Sequence, residues 1–212
     1  MRQLVLQMQI TVDGFVAGPN GENDWVFKTL DDAADAWIVE HVWKAGVHIM
    51  GSRTFKDMAS YWPSSTEVFA APMNEIPKAV FTRSGSAATT TQALEGAVRN
   101  REQQGGRQQA ATSAIVESWT HPRVASGDLA DEVRRLKNEP GKEILAHGGA
   151  MFARSLVQSG LIDEFRLLVH PVALGRGQPL FSGLATPIDL KLVSSTPFTA
   201  GTVANIYQPA RQ

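Results

Sequence analysis

The sequence predicts an α/β fold: one mostly parallel sheet covered by helices on both faces. Two features lead to that class. Segments of strand and helix character alternate through most of the chain, and the last third carries strand patterns without helices. Alternation of this kind builds a parallel sheet, and a helix-free end adds an antiparallel edge to it. The composition agrees, since 43% of the 212 residues are hydrophobic and 19% charged, the balance of a globular chain rather than a disordered one.

The elements follow in order. Residues 3–14 carry apolar side chains at 4, 5, 6, 8, 10 and 12 and stop at Asp13-Gly14, which predicts a largely buried strand and a turn. Residues 15–25 are rich in Gly, Pro and Asn and read as a mobile connection. It either closes over a substrate or is an ordinary loop with Trp25 plugging the core. From Asp31 or Asp32, an acid suited to a helix start, Ala33, Ala36, Trp37, Glu40 and Trp43 recur at helical spacing. Residues 46–52 return to strand character, 53–62 read as a short helix and 78–84 as another short strand. Residues 123–128 are the next strand, and Asp128 caps a helix on which Leu129, Val133 and Leu136 share a face, ending before Pro140. Residues 142–149 are strand, 150–160 a helix stopped by Gly160, and 163–175 a long strand. Residues 188–196 and 202–208 form a closing antiparallel pair joined around Pro197 and Gly201. Residues 84–118 are rich in Ala, Gln, Thr and Gly, and read as an insertion that adds no core, either a flexible loop or an exposed helix around TQALEGAVRNREQQ.

Charge and composition narrow the function. A net charge of -1 provides no field for a polyanion, so nucleic acid is not an expected partner. The chain has no cysteine, which removes disulfides, thiol nucleophiles and thiolate metal sites and fits a cytoplasmic location. No stretch is long enough to span a bilayer, and the first residues lack a signal-peptide core. Neither G-x-G-x-x-G nor a Walker loop occurs. His41, His48, His121, His147 and His170 show no metal-ligand spacing, so no metal is expected. His147 and His170 lie in apolar strand patterns and read as hydrogen-bonded core imidazoles.

Three strand ends share a form: residues 49–55, 80–85 and 144–152 each place small or hydroxyl residues where a strand gives way to a turn or helix. A helix start offers unpaired N–H groups and a positive dipole end to a phosphate. Glycine lets backbone approach a ligand closely. Arg53 and Arg83, with Ser52, Thr54, Thr82 and Ser84, add charge and hydroxyl donors.

Taken together, the stretches TVDGFVAGPNGENDW, IMGSRTFKDM, FTRS, VASGDLADEVRRLK and ILAHGGAMFARSLVQSGLIDEFRLLVHPVALGRGQPLF resemble the dihydrofolate reductase superfamily, in the branch of the riboflavin-biosynthesis reductase domain and its stand-alone homologues. The resemblance runs from about residue 3 to 208. It implies a single domain over 1–212, a mixed, mostly parallel eight-stranded sheet, and NADPH lying across the strand ends. By position, Gly148, Gly149, Ala150 and Met151 would cradle the pyrophosphate, and Gly51, Ser52, Arg53 and Thr54 would approach the pyrophosphate or adenosine side. Thr82, Arg83 and Ser84 would face the 2′-phosphate, and Val16 and Ala17 would flank the nicotinamide. The arginine of the second stretch is displaced by one position from that of dihydrofolate reductase proper, and no zinc deaminase domain is present.

The expected activity is hydride transfer from NADPH to a C=N or C=O of a pterin, pyrimidine or sugar-derived small molecule. Asp32 is the expected proton donor or substrate anchor, with Asp31 and Asp35 as alternatives, because a partly buried carboxyl can hold its proton. The competing reading is a non-catalytic NADPH-binding sensor or partner protein. The resemblance further implies a homodimer, with its contact expected along residues 165–174 near the C-terminal pair.

Overall fold

The computed structural model describes residues 1–82 and 118–210; the insertion expected at 84–118 lies outside them except for Ser118, as do Arg83 and Ser84. The chain opens with β1 (Leu4–Thr11), in which Leu4, Leu6, Met8 and Ile10 pack to one side and Val5 to the other. This alternation is the period of a strand buried on both faces. A turn through Gly14 leads to the short β2 (Phe15–Ala17). Helix α1 (Asp32–Val42) follows, its N-cap supplied by Asp31. Then come β3 (Ala45–Gly51), α2 (Ser52–Tyr61), α3 (Ala70–Glu75) and β4 (Lys78–Phe81).

After β5 (Arg123–Ala125), α4 (Leu129–Asn138) starts at Asp128, whose carboxylate accepts from the Ala130 and Asp131 amides at 2.9 and 3.1 Å. Strand β6 (Glu143–Ala146) and α5 (Ala150–Ser159) come next, and Gly160 ends the helix in the left-handed conformation at φ 67°. The chain finishes with β7 (Glu164–His170), β8 (Gln178–Pro179), β9 (Leu190–Pro197) and β10 (Val203–Pro209).

Eight of these strands make one sheet in the order β5-β4-β3-β6-β1-β7-β10-β9, while β2 and β8 pair separately. The pairings from β5 through β7 are parallel, and those joining β7 to β10 and β10 to β9 are antiparallel. Helices α4 and α5 cover one face through Val133, Leu136, Ala153, Leu156 and Val157. On the other face lie α1 and α3, through Ile38, Val42 and Met73, and α2, through Phe55 and Ala59. The expected fold class therefore holds.

Two details differ from expectation. The mobile connection at 15–25 contains β2 and a turn closed by the Gly18 amide on the Glu22 carbonyl at 2.8 Å, with the Glu22 carboxylate accepting from Asn20. Strand β7, where the dimer contact was expected, lies inside the sheet between β1 and β10 and is mostly buried, so it has no edge to offer. The exposed apolar side chains nearby are Leu192 and Val193 on the edge strand β9.

Candidate active site

Strands β3 and β6 are neighbours; β3 runs straight into α2, and residues 147–149 lead from β6 into α5. The N-caps of α2 and α5 are Gly51 and Gly149, and neither supplies a side-chain cap. Two sets of first-turn N–H groups and two positive dipole ends therefore meet at one edge of the sheet, as an anion site requires. The His147 amide donates to the Ile49 carbonyl at 3.0 Å and carries the pairing of the two strands up to this point.

The two helix starts also interlock. A Cβ built on Gly51 lies 3.4 Å from Phe152 Cβ in α5, and one built on Gly149 lies 2.5 Å from Thr54 Oγ1 in α2. Gly149 also sits at φ 93°. The close approach that demands glycine at 149 is thus made by protein, where the sequence suggested a ligand. Gly148 differs: a Cβ there meets only Met8, at 3.7 Å, an ordinary contact. Arg53 and Gly149 are exposed beside this junction, Ser52, Thr54 and Ala150 are half-buried, and Met151 is 67% exposed.

The other described residues expected to meet the cofactor, Val16, Ala17 and Thr82, lie after β1 and β4. Val16 is buried in the cluster that contains Met8, and β2 is held by its pairing with β8. Arg154 of α5 in turn donates to the Pro179 carbonyl of β8 at 3.1 and 3.3 Å, so Val16 and Ala17 are tied to α5. Thr82 follows β4, its amide donating to the Ala125 carbonyl at 3.0 Å. Thr11, Asp13 and Gly175 clamp the end of β1: Thr11 Oγ1 donates to one oxygen of Asp13 at 2.5 Å and the Gly175 amide to the other at 2.7 Å. These bonds hold the Asp13 carboxyl below its usual range.

The three acids of α1 separate cleanly. Asp31 is the N-cap, accepting from the Ala34 amide at 2.9 Å, and with Thr199 and Ala200 also bonded to it the carboxyl is lowered to about 2. Asp32 is exposed on the first turn. Asp35 is half-buried, and its Oδ1 is buried without a hydrogen-bond partner among the described residues. Burial first, then the charges of Asp32, Asp31 and Glu67, raise its pKa. The partial burial that motivated Asp32 belongs to Asp35.

Asp35 shares its side of the sheet with two other unpaired polar atoms. Gln7 projects from β1 to the same side as Val5, two residues nearer the carboxyl end, and its Oε1 is buried and unpartnered among the described residues, as is Nε1 of the buried Trp25. Trp25 packs edge-on against His170 at 5.0 Å, which is the core-plug arrangement. His170 is a hydrogen-bonded core imidazole, as its apolar strand context suggested. His147 is buried but not paired in that way: it meets His48 edge-on at 4.4 Å, with its Nε2 and both His48 nitrogens lacking partners among the described residues.

Among the described residues no group of three or more His, Asp or Glu side chains is placed to hold a metal ion, and no helix is long and apolar enough to cross a membrane.

A model of the RibD C-terminal domain family matches residues 2–204. The uncharacterized protein YyaP of Bacillus subtilis (strain 168) is 29% identical over 206 residues, covering 97% of this chain and 94% of its own. A candidate riboflavin biosynthesis protein of Shewanella sp. PV-4 superposes with a TM-score of 0.69 at 18% identity, over 99% of both chains. A pyrimidine reductase-like protein of Corynebacterium diphtheriae gives 0.61 at 13% identity, over 100% of this chain and 93% of its own. The diaminohydroxyphosphoribosylaminopyrimidine deaminase/5-amino-6-(5-phosphoribosylamino)uracil reductase of Thermotoga maritima gives 0.61 at 17% identity, with this chain spanning 57% of its length.

Proposed function

The chain belongs to the RibD C-terminal domain family, and from that premise we propose that it is an NADPH-dependent reductase passing hydride to a C=N or C=O of a pterin, pyrimidine or sugar-derived small molecule. The observation that carries this reading is the pair of uncapped helix starts at Gly51 and Gly149 on adjacent strands. Such a junction suits the diphosphate of a dinucleotide, and the exposed Arg53 beside it adds a fixed cation. The reductase names carried by the Corynebacterium and Thermotoga relatives support the substrate class.

In this reading the amides of residues 51–54 and 148–151, with the hydroxyls of Ser52 and Thr54, hold the phosphates. Thr82, Arg83 and Ser84 meet the 2′-phosphate, and Val16 and Ala17 lie against the nicotinamide. The bound cofactor supplies the hydride. In this reading the chain's residues orient substrate on the side of the sheet that carries α1, where Gln7 Oε1 is an unpartnered acceptor and Trp25 Nε1 an unpartnered donor among the described residues. In this reading Asp35 takes the role expected of Asp32, because it is half-buried with an unpartnered Oδ1 among the described residues and burial raises its pKa.

Titration of the purified protein with NADPH and with NADH, followed by nicotinamide fluorescence, tests the reading. Binding of NADPH at least about tenfold tighter than NADH is expected, the discrimination one phosphate–arginine contact provides. Binding of neither removes the assignment. Binding without NADPH oxidation across a panel of pterins and aminopyrimidines identifies the sensor instead. The homodimer belongs to the same proposal, with its contact moved to β9 and the exposed Leu192 and Val193. Light scattering at micromolar concentration is expected to give twice the chain mass, and a monomer there would refute it.

A further inference from the structure

We propose that His170 is a positioning residue for the substrate side of the site: a buried neutral imidazole whose two nitrogens set the segment from Trp25 to Asp31, and with it the first turn of α1, against the end of β1. It rests on the proposed function, in which substrate meets Gln7, Trp25 and Asp35.

His170 ends β7 opposite Thr11 of β1 and is fully buried. Its Nε2 lies 2.6 Å from Gln9 Oε1, and its Nδ1 lies 2.6 Å from Thr29 Oγ1 and 3.3 Å from Thr202 Oγ1. An amide oxygen only accepts, so Nε2 carries the proton. The Thr202 hydroxyl donates to the Thr29 carbonyl at 2.6 Å, which leaves the Thr29 hydroxyl to donate to Nδ1. Every proton is then used and the ring is neutral. The brace continues on both sides of Thr29. Trp25 packs edge-on against the ring at 5.0 Å, and Asp31 binds the Ala34 amide with one oxygen and Thr199 Oγ1 and the Ala200 amide, at 2.6 and 2.8 Å, with the other. Asp35 lies one helical turn beyond.

Among the described residues, the ring's hydrogen-bond and ring-contact partners are Gln9 from β1, Trp25 and Thr29 from the segment before α1, and Thr202 ahead of β10, none of them charged. Of the charged side chains along these elements, Asp24 and Lys28, beside Trp25 and Thr29, are exposed, and Asp13 and Asp31 face other partners. Burial lowers the His170 pKa to about 4, so the brace is constant across the neutral range. A hydrophobic side chain would fill the same volume. A fully satisfied polar network instead selects one arrangement of the elements it joins.

Hydrogen–deuterium exchange on the full chain separates this from a merely stabilising role. Thr29→Val removes the donor to Nδ1 and is expected to raise exchange across residues 24–36 about tenfold, the opening one lost hydrogen bond permits. Thr29→Ser keeps the hydroxyl and should retain wild-type protection. Residues 143–159 and NADPH affinity should stay within about twofold in both variants, because neither touches the helix starts. Nitrogen-15 NMR should show His170 as the Nε2–H tautomer from pH 8 to 5, without the titration near 6.5 of a free imidazole. Equal exchange in the two Thr29 variants, a rise shared by residues 143–159, or titration near 6.5 would overturn the proposal. The Thr29 pair decides the matter without any change to β7, so it does not depend on a His170 variant folding. Failure of the wild type to bind NADPH would sink the reductase reading, while the exchange pattern still judges His170.

Discussion

Asp32 and Asp35 lie three residues apart on α1 and meet opposite surroundings, one exposed and the other half-buried with an unpartnered oxygen. An acid whose folded pKa is raised binds its proton more readily in the folded chain. Its contribution to stability therefore falls as pH rises from the unfolded value through the folded one, so ionising it in the folded chain carries a penalty. Asp35→Asn removes that penalty and should raise the melting midpoint by about 2 °C while lowering kcat/KM at least about 100-fold with a responsive substrate. Asp32→Asn should change kcat/KM by less than about threefold. Parallel melts and kinetics on the two variants check this, and equal losses would return the role to Asp32. Helical spacing could have found the distinction. The residues α1 buries are Ala34, Ile38, His41 and Val42, and Asp35 stands three before Ile38 and seven before Val42. The series through Ala33, Ala36, Trp37, Glu40 and Trp43 traces a different stripe and hides this acid. His170 was legible as a hydrogen-bonded core imidazole, but its partners Gln9 and Thr29 were not, since these bonds join positions far apart in the chain.

The elements that build the proposed cofactor edge were legible because local rules write them: a buried strand, a glycine, then a helix start, at both Gly51 and Gly149. What local rules omit is that each of these glycines faces the other's helix, Gly51 against Phe152 and Gly149 against Thr54. That reciprocity follows from the pairing of β3 with β6, and strand order is a long-range property. The pairing of β2 with β8 was hidden for the same reason. The two adjacent glycines of α5 should accordingly behave differently. Gly149→Ala adds a Cβ at φ 93° and 2.5 Å from Thr54 Oγ1, and should cost about 3 kcal/mol, a fall of roughly 9 °C in Tm. Gly148→Ala has room beside Met8 and should melt within about 2 °C of the wild type, yet in the proposed reading it weakens NADPH about tenfold, because its Cβ would take the space through which phosphate approaches backbone. Calorimetry and the fluorescence titration on both variants test the division. Unchanged NADPH binding by Gly148→Ala would remove that glycine from the cofactor site.

Across the whole molecule the buried bases outweigh what the near-neutral net charge suggests. Burial lowers His147 and His170 to about 4 and His48 well below its usual value. It also lowers Lys78 to about 7, although the ammonium donates to the Asn74 carbonyl and to Ser118 and lies 4.3 Å over the Trp119 ring. Those contacts favour the charged form, and desolvation prevails because no carboxylate partners Lys78 among the described residues. For each base the unfolded chain binds more protons between the folded and unfolded pKa values, so stability rises with pH through that window. The windows run from about 4 to 6.5 for His147 and His170 and from about 7 to 10.5 for Lys78. The lowered carboxyls of Asp13, Glu22 and Asp31 act in the same direction, contributing above their usual values and losing that contribution in acid. Melting temperature should therefore climb from pH 5 to pH 9 instead of peaking near neutrality. Lys78→Met should flatten the limb above pH 7 and leave the acid limb in place, because it removes the only one of these bases whose window lies there. A melting maximum below pH 7, or a limb above it that survives Lys78→Met, would mean that water reaches these groups and that the core around Trp119 is not closed.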